Sequence, residues 1–371
     1  MTERLHIGLL AADLTHRHGW AHYSASLLAA LRAAGAEVTV LAPRNSPPDV
    51  DPQVHRMLPT VEPLERGMLA GQLRLTPAAR SILRPCDVIH SAVELVAPLG
   101  ALVAGRRPFF ITGHGTYVRL PGRAGAAGAV YRRAFRRATL VCVSAYTARE
   151  AQIALREART RVIPNGIDAA RFAALPDAEK DGHTVLFVGA VKPRKGVLQL
   201  VQAMAAVRER IPGARCWIVG SLDQEPAYVA QVRAAITERG LDEAVELTGR
   251  LSPEALLSRY AAADVFALPS LNLSGRFEGF GLALLEASAA GLPVIGSRDC
   301  GAEDAVRVGE TGLLVSQSSM VPDLTDAIVQ LLSNPGLRAQ MGAAGRAFAQ
   351  QQTWDAAAAA LLALYREQLN H

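Results

Sequence analysis

The first 170 residues of this 371-residue chain contain no lysine. They carry 21 arginines against 12 acidic residues, 21 − 12 = +9, while the whole chain is +5 and the remainder therefore −4. Aromatic residues make up 5% and are not interleaved with the arginines, so no nucleic-acid partner is expected. The four cysteines, Cys86, Cys142, Cys216 and Cys300, stand far apart with no C-x-x-C, which excludes a zinc ribbon and a disulfide framework. Cys142 lies in the apolar run Leu140 to Val143 and reads as a buried thiol. No apolar run approaches the length of a membrane span, and the one near the N-terminus is too short for a signal peptide. The expected compartment is cytoplasmic. The loop after the first apolar run is not G-x-G-x-x-G, so a dinucleotide site is unsupported. The chain's one D-x-D, Asp49-Val50-Asp51, sits in a proline-flanked loop and reads as a solvated turn. No metal and no cofactor are expected.

Half of the residues are apolar, which is ample for two cores in a chain of this length. Short apolar runs alternate with amphipathic stretches. His6 to Ala11 reads as a buried parallel strand, followed by a loop with Asp13 and Gly19, a helix from about Ala21 to Ala34, and a strand at Glu37 to Leu41. Further strands are expected at Asp87 to His90, Pro108 to Thr112, Thr139 to Ser144 and Val162 onward. After a polar linker, about Ala169 to His183, the pattern restarts. Strands are expected at Thr184 to Val188, Cys216 to Val219, Val245 to Thr248, Ala263 to Leu268 and Leu292 to Gly296. A final Ala/Leu helix covers Thr353 to Asn370.

Chemistry concentrates in P-S-L-N-L-S-G-R-F-E-G-F-G-L-A-L-L-E-A, Pro269 to Ala287. A strand runs into a polar loop, and a helix opens at Gly279-Phe280-Gly281. Glycines at a helix start let backbone N–H groups approach an anion, which the helix dipole favours. Leu282, Leu285, Ala289 and Ala290 define an apolar stripe, and Glu286 falls on it. A carboxylate there needs a hydrogen-bond partner, such as the hydroxyls of a sugar or ribose. Upstream, Phe187 to Gly196 ends a strand in a loop with Lys192, Arg194 and Lys195 before the next helix, a setting suited to a diphosphate. Gly113 and Gly115 flank His114 at the carboxyl end of a strand, where ligands of parallel sheets sit.

The spacing of Glu278 and Glu286, with G-F-G between them and A-G-L-P-V-I-G-S (Ala290 to Ser297) after, resembles the E-x7-E signature of the retaining, nucleotide-sugar-dependent glycosyltransferases of family 4. The resemblance covers nearly the whole chain and is densest from 184 to 315. It implies an α/β protein of the GT-B fold, two Rossmann-like domains facing across a cleft. Residues 1–172 would form the acceptor-side domain, 173–352 the donor domain, and 353–371 a helix returning to the first.

The resemblance also implies roles. Lys195 matches the family lysine on the donor diphosphate, Glu278 orients sugar hydroxyls, and Glu286 holds the ribose. Gly279, Phe280, Gly281 and Leu282 offer N–H groups to the leaving phosphate, and Arg250 flanks the nucleobase. Gly19 matches the glycine loop of the cleft, and His114 positions the sugar. The family's arginine in G-R-x-x-x-x-K-G is Ala190 here, so Arg194 or Arg276 must supply that charge. The expected reaction is metal-independent hexosyl transfer from a UDP-, GDP- or ADP-sugar to a glycan, lipid or small-molecule hydroxyl. An epimerase, a phosphorylase and a degenerate sugar-nucleotide-binding protein are the alternatives. Asp13 is the one carboxylate in the first-domain loop that a two-displacement route would have at hand.

Six arginines, Arg119, Arg123, Arg132, Arg133, Arg136 and Arg137, share one segment of the basic half. Arg132/Arg136 and Arg133/Arg137 repel at i,i+4, and an anionic surface would relieve them. Leu120, Val130 and Phe135 are the apolar residues beside them. Peripheral contact with an anionic membrane, at the inner face of the plasma membrane, is the expectation.

Overall fold

The computed structural model describes residues 4–14, 19–47, 51, 53–61, 65, 67–176 and 178–370. They form two compact units. One comprises the chain to Gly166 together with Trp354 onward, the other Ile167 to Thr353. The change of unit falls at Gly166/Ile167, upstream of the polar stretch 169–183, because the Ile167 N–H donates to the Gln352 carbonyl and Ile167 bridges to Thr353.

The first unit is built on seven parallel strands: β1 (His6–Leu10), β2 (Glu37–Pro43), β3 (Val54–Leu58), β4 (Val88–Ser91), β5 (Phe109–Gly113), β6 (Thr139–Cys142) and β7 (Arg159–Val162). Their order is β3-β2-β1-β4-β5-β6-β7, so the winding reverses between β1 and β4. The central strands are apolar on both faces, as strands covered by helices on both sides must be. Two edge strands depart from the sequence reading. β3 carries His55 and Arg56, and β7 reads Arg-Thr-Arg-Val and is largely exposed, so neither presents an apolar run. The strand expected from Val162 onward therefore ends there. The last helix, Trp354–Leu369, belongs to this unit. Its Trp354, Leu361 and Tyr365 join a core with Ile7 and Leu9 of β1 and Leu27 and Leu31 of the helix Gly19–Ala33.

The second unit carries six parallel strands: β8 (Thr184–Val188), β9 (Arg215–Val219), β10 (Val245–Gly249), β11 (Val265–Ala267), β12 (Val294–Ser297) and β13 (Gly312–Val315). The order is β10-β9-β8-β11-β12-β13, and here the winding reverses between β8 and β11. In such sheets the ligand crevice lies beyond the carboxyl ends of the two strands at the reversal. Those ends carry Gly189 to Gly196 and Pro269 to Gly281, the two stretches in which the sequence concentrates charge and glycine. β11 is confined to three residues, and β13, hidden in Thr311 to Val315, adds an edge.

Candidate active site

The loops after β8 and β11 touch. Gly196 has φ +69 and caps the helix Val197–Arg210, and a Cβ there would sit 1.8 Å from the Pro269 carbonyl oxygen. Neither the dihedral nor the space admits another residue. The Leu271 N–H donates to the Arg194 carbonyl at 2.8 Å, closing the two loops on each other. This contact delivers three donors to one carboxylate oxygen. Glu278 Oε2 accepts from Lys195 Nζ at 2.6 Å, Arg194 Nη1 at 3.0 Å and Ser270 Oγ at 3.1 Å. Burial by itself would raise the Glu278 carboxyl, but the charges of Lys195 and Arg194 outweigh it and hold the group down to about 2. The site is thus a buried carboxylate with two cations fixed above it.

Beside it, the helix Leu282–Ala289 opens from Gly281, whose φ of +86 suits glycine. Gly279 and Phe280 are buried, and a Cβ on Gly301 would meet the Gly279 carbonyl oxygen at 1.9 Å, so the G-F-G loop is clamped from behind. The helix buries Leu284, Leu285, Ala287 and Ser288. Leu282 is half-buried, and the expected stripe through Leu282 is corrected accordingly. Glu286 does not face the core either. It is half-buried, and its Oε2 accepts from the Tyr260 hydroxyl at 3.1 Å. Burial raises its pKa, with the Tyr260 bond and the charge of Arg171 opposing. Glu286 Oε1 has no protein partner among the described residues and remains available as an acceptor. Arg250 is exposed just past β10, and Arg276 is exposed in the turn Leu273–Arg276. Of the two candidates for the charge missing at Ala190, Arg194 is the one beside Lys195.

In the first unit, His114 follows β5. Its Nε2 lies 2.7 Å from the Ala92 carbonyl, which can only accept, so Nε2 carries the proton and Nδ1 is a lone pair. Burial lowers the His114 pKa to about 4. Its ring meets Tyr23 edge-on at 4.5 Å. The backbone N–H of His114 donates at 2.8 Å to Oε1 of Glu94, which is fully buried and pushed up to about 7 by that burial. Gly19 is exposed at the start of its helix, with nothing within 4 Å of an added Cβ. Asp13 is buried just beyond β1. Of the D-x-D, Asp49 and Val50 lie outside the described residues; Asp51 pairs with Arg32 and accepts the Gln53 N–H at 2.8 Å.

Comparison with known proteins decides the family. The model of Glycosyltransferase Family 4 matches residues 18–171, and that of Glycosyl transferases group 1 matches 172–348. A D-inositol 3-phosphate glycosyltransferase of Acidothermus cellulolyticus is 30% identical over 395 residues, covering 94% of this chain and 85% of its own. The chain belongs to glycosyltransferase family 4. A GDP-mannose-dependent α-(1-6)-phosphatidylinositol monomannoside mannosyltransferase of Mycobacterium tuberculosis is 35% identical over 232 residues, and the matched part spans 59% of this chain and 59% of that enzyme. The sucrose-phosphate synthase of Thermosynechococcus elongatus is similar in structure, with a TM-score of 0.78 at 25% identity over 98% of this chain and 99% of its own. The two Rossmann-like units are those of the GT-B fold.

In this family 4 chain, three supporting residues escaped the sequence reading. Ser270 stands in the motif, but Tyr260 and Glu94 carry no local signal, because each meets its partner through the fold. The arginine segment also reads differently in place. Arg119 pairs with Glu150 and Arg136 with Glu157, each at 2.5 Å, while Arg132 donates to the Pro121 carbonyl and Arg137 to those of Gly105 and Arg107. Arg119 and Arg136 are therefore paired within the protein, whereas Arg132 and Arg137 reach only backbone carbonyls. Leu120 and Phe135 are buried, so Val130 alone of the three apolar neighbours faces solvent. No helix among the described residues is long and apolar enough to cross a membrane.

Proposed function

We propose that this chain transfers a hexosyl group from a nucleoside diphosphate sugar to the hydroxyl of a lipid-linked, glycan or small-molecule acceptor, with retained anomeric configuration and without a metal ion. The observation that carries this reading is the convergence of Lys195 and Arg194 on Glu278 at the strand-order reversal of the second unit. Two cations fixed beside a helix start are placed for a diphosphate, and their attraction grows as the leaving oxygen gains charge. They take the place of a divalent ion. Glu278 holds them before the donor arrives and then accepts hydrogen bonds from sugar hydroxyls. Glu286, oriented by Tyr260, receives the ribose through Oε1. His114, neutral and with Nδ1 open, accepts a hydrogen bond from a sugar hydroxyl.

Same-face displacement suits these residues. The bond from the anomeric carbon to the phosphate oxygen breaks, the acceptor oxygen bonds to that carbon on the same face, and the acceptor proton passes to the departing phosphate. A two-displacement route needs a free carboxylate at the anomeric carbon. Glu278 is a poor candidate, because its charge is already shared by Lys195, Arg194 and Ser270.

The relatives' names direct the first assays to GDP-mannose as donor and to inositol-bearing lipids or inositol phosphate as acceptors; the +9 first half and a lipid acceptor together support peripheral contact with an anionic membrane. Nucleoside diphosphate release from GDP-mannose, UDP-glucose and ADP-glucose, with each acceptor and with none, tests the proposal. Acceptor-dependent release with one donor supports it. A donor altered without acceptor indicates an epimerase, and binding without turnover across all acceptors indicates a sugar-nucleotide-binding protein.

A further inference from the structure

Two adjoining hollows on the first unit lie away from His114. One, of about 1010 Å³, runs between the helices Met68–Ile82, Ala97–Ala104 and Gly125–Arg137. Leu73, Leu102 and Val130 line it and are 64%, 40% and 42% exposed. Three large apolar side chains on one open face are unusual for a surface with no partner. The other, of about 320 Å³, is walled by Arg106, Arg137 and Arg159, and Arg137 lines both. Neither wall contains a carboxylate among the described residues. Arg137 and Arg159 spend donors on backbone carbonyls and form no ion pair among the described residues, and Arg106 is exposed. Burial first, and then the neighbouring charge of Arg159, lower the Arg137 pKa.

An apolar trough that opens into a basic cup fits one chemical class, an amphiphile with an anionic head. We infer that this face docks an anionic phospholipid of a bilayer, its phosphate against Arg106, Arg137 and Arg159 and its acyl chain along Leu73, Leu102 and Val130. The site is an anchor and not the acceptor site. The basic cup lies by Phe109, at the amino end of β5, whereas His114 follows the carboxyl end of the same strand. The inference deepens the membrane contact proposed above and stands apart from the transfer reaction. The cations add an attraction to an anionic surface that salt screens, and the apolar contacts add a part that salt does not screen.

The test is co-sedimentation of the full chain with vesicles of phosphatidylglycerol and phosphatidylcholine, or of phosphatidylcholine alone, at low and high salt. Wild type should pellet several-fold more with phosphatidylglycerol at low salt and keep part of that binding at high salt. Arg106→Glu with Arg159→Glu should abolish the preference for phosphatidylglycerol, and Leu73→Ser with Leu102→Ser should abolish the salt-resistant part. All four residues are exposed, and unchanged thermal midpoints certify that the variants fold. Calorimetric binding of a nucleoside diphosphate should be equal in all three proteins, which separates this inference from the donor reading. Pelleting that is equal with both vesicle types, absent for wild type, or unchanged in both variants overturns it.

Discussion

Lys195 Nζ lies 2.6 Å from Glu278 Oε2, across 83 residues of chain, and Arg194 reaches the same oxygen at 3.0 Å. The arrangement is preloaded. The carboxylate fixes both cations where a diphosphate would meet them, so little ordering remains when the donor binds. The first expected outcome concerns Lys195→Ala. Its charge acts most on the leaving diphosphate, so kcat should fall on the order of a hundredfold or more. A raised KM with unchanged kcat would assign Lys195 to ground-state binding instead.

The same pair sets an acid limit. The Glu278 carboxyl is held down to about 2 in the folded protein, below its value in the unfolded chain. A depressed carboxyl contributes stability that is complete above the unfolded pKa, about 4.3, and is lost as pH falls through the folded value. The stability difference between wild type and Glu278→Gln should therefore be constant from pH 7 to 5 and shrink from about 4.3 toward 2. Denaturant unfolding at these pH values measures it; a difference that changes between pH 7 and 5 would contradict the pairing.

His114 should contribute no ionisation near neutrality. Burial places its pKa at about 4, so the ring is neutral across the working range, with Nε2 donating to Ala92. Because the folded value lies below the unfolded one, about 6.5, its stability contribution is present above 6.5 and declines as pH falls toward 4. His114→Ala should lower kcat/KM by about tenfold through one lost hydrogen bond, at all pH values between 6 and 8. A pH-rate limb near 6.5 that disappears in His114→Ala would contradict a neutral role.

Activity should survive EDTA. Lys195 and Arg194 supply positive charge at the leaving group, and the Asp51 carboxylate is already engaged by Arg32. Loss of turnover on chelation, restored by Mn²⁺, would return the metal-dependent reading.

Much of this was legible in the sequence because the central strands are short apolar runs and the loops after β8 and β11 are dense in glycine and charge. The positions of Lys195, Glu278 and Glu286 at the reversal of strand order follow from that pattern. What was hidden lay at the edges and across the fold. β3 is a half-exposed and β7 a largely exposed edge strand, both with arginines, so their composition resembles loops. Leu282 and Glu286 sit on the rim of their helix, and an apolar stripe drawn from spacing alone does not distinguish rim from core. The pairing of Arg119 with Glu150 and of Arg136 with Glu157 joins different elements, so a run of like charges looked unrelieved. The trough beside Val130 takes Leu73 and Leu102 from two other helices, and no single segment announces it.

The central claim is that Lys195 and its neighbours hold the diphosphate of a nucleotide donor. Titration calorimetry of GDP, UDP and ADP, each beside its nucleoside, against wild type and Lys195→Ala tests it directly. The account predicts that one diphosphate binds wild type, that its nucleoside binds both proteins alike and more weakly, and that Lys195→Ala loses the diphosphate's advantage. Equal diphosphate affinity in the two proteins, or no binding of any of the three to wild type, would contradict it.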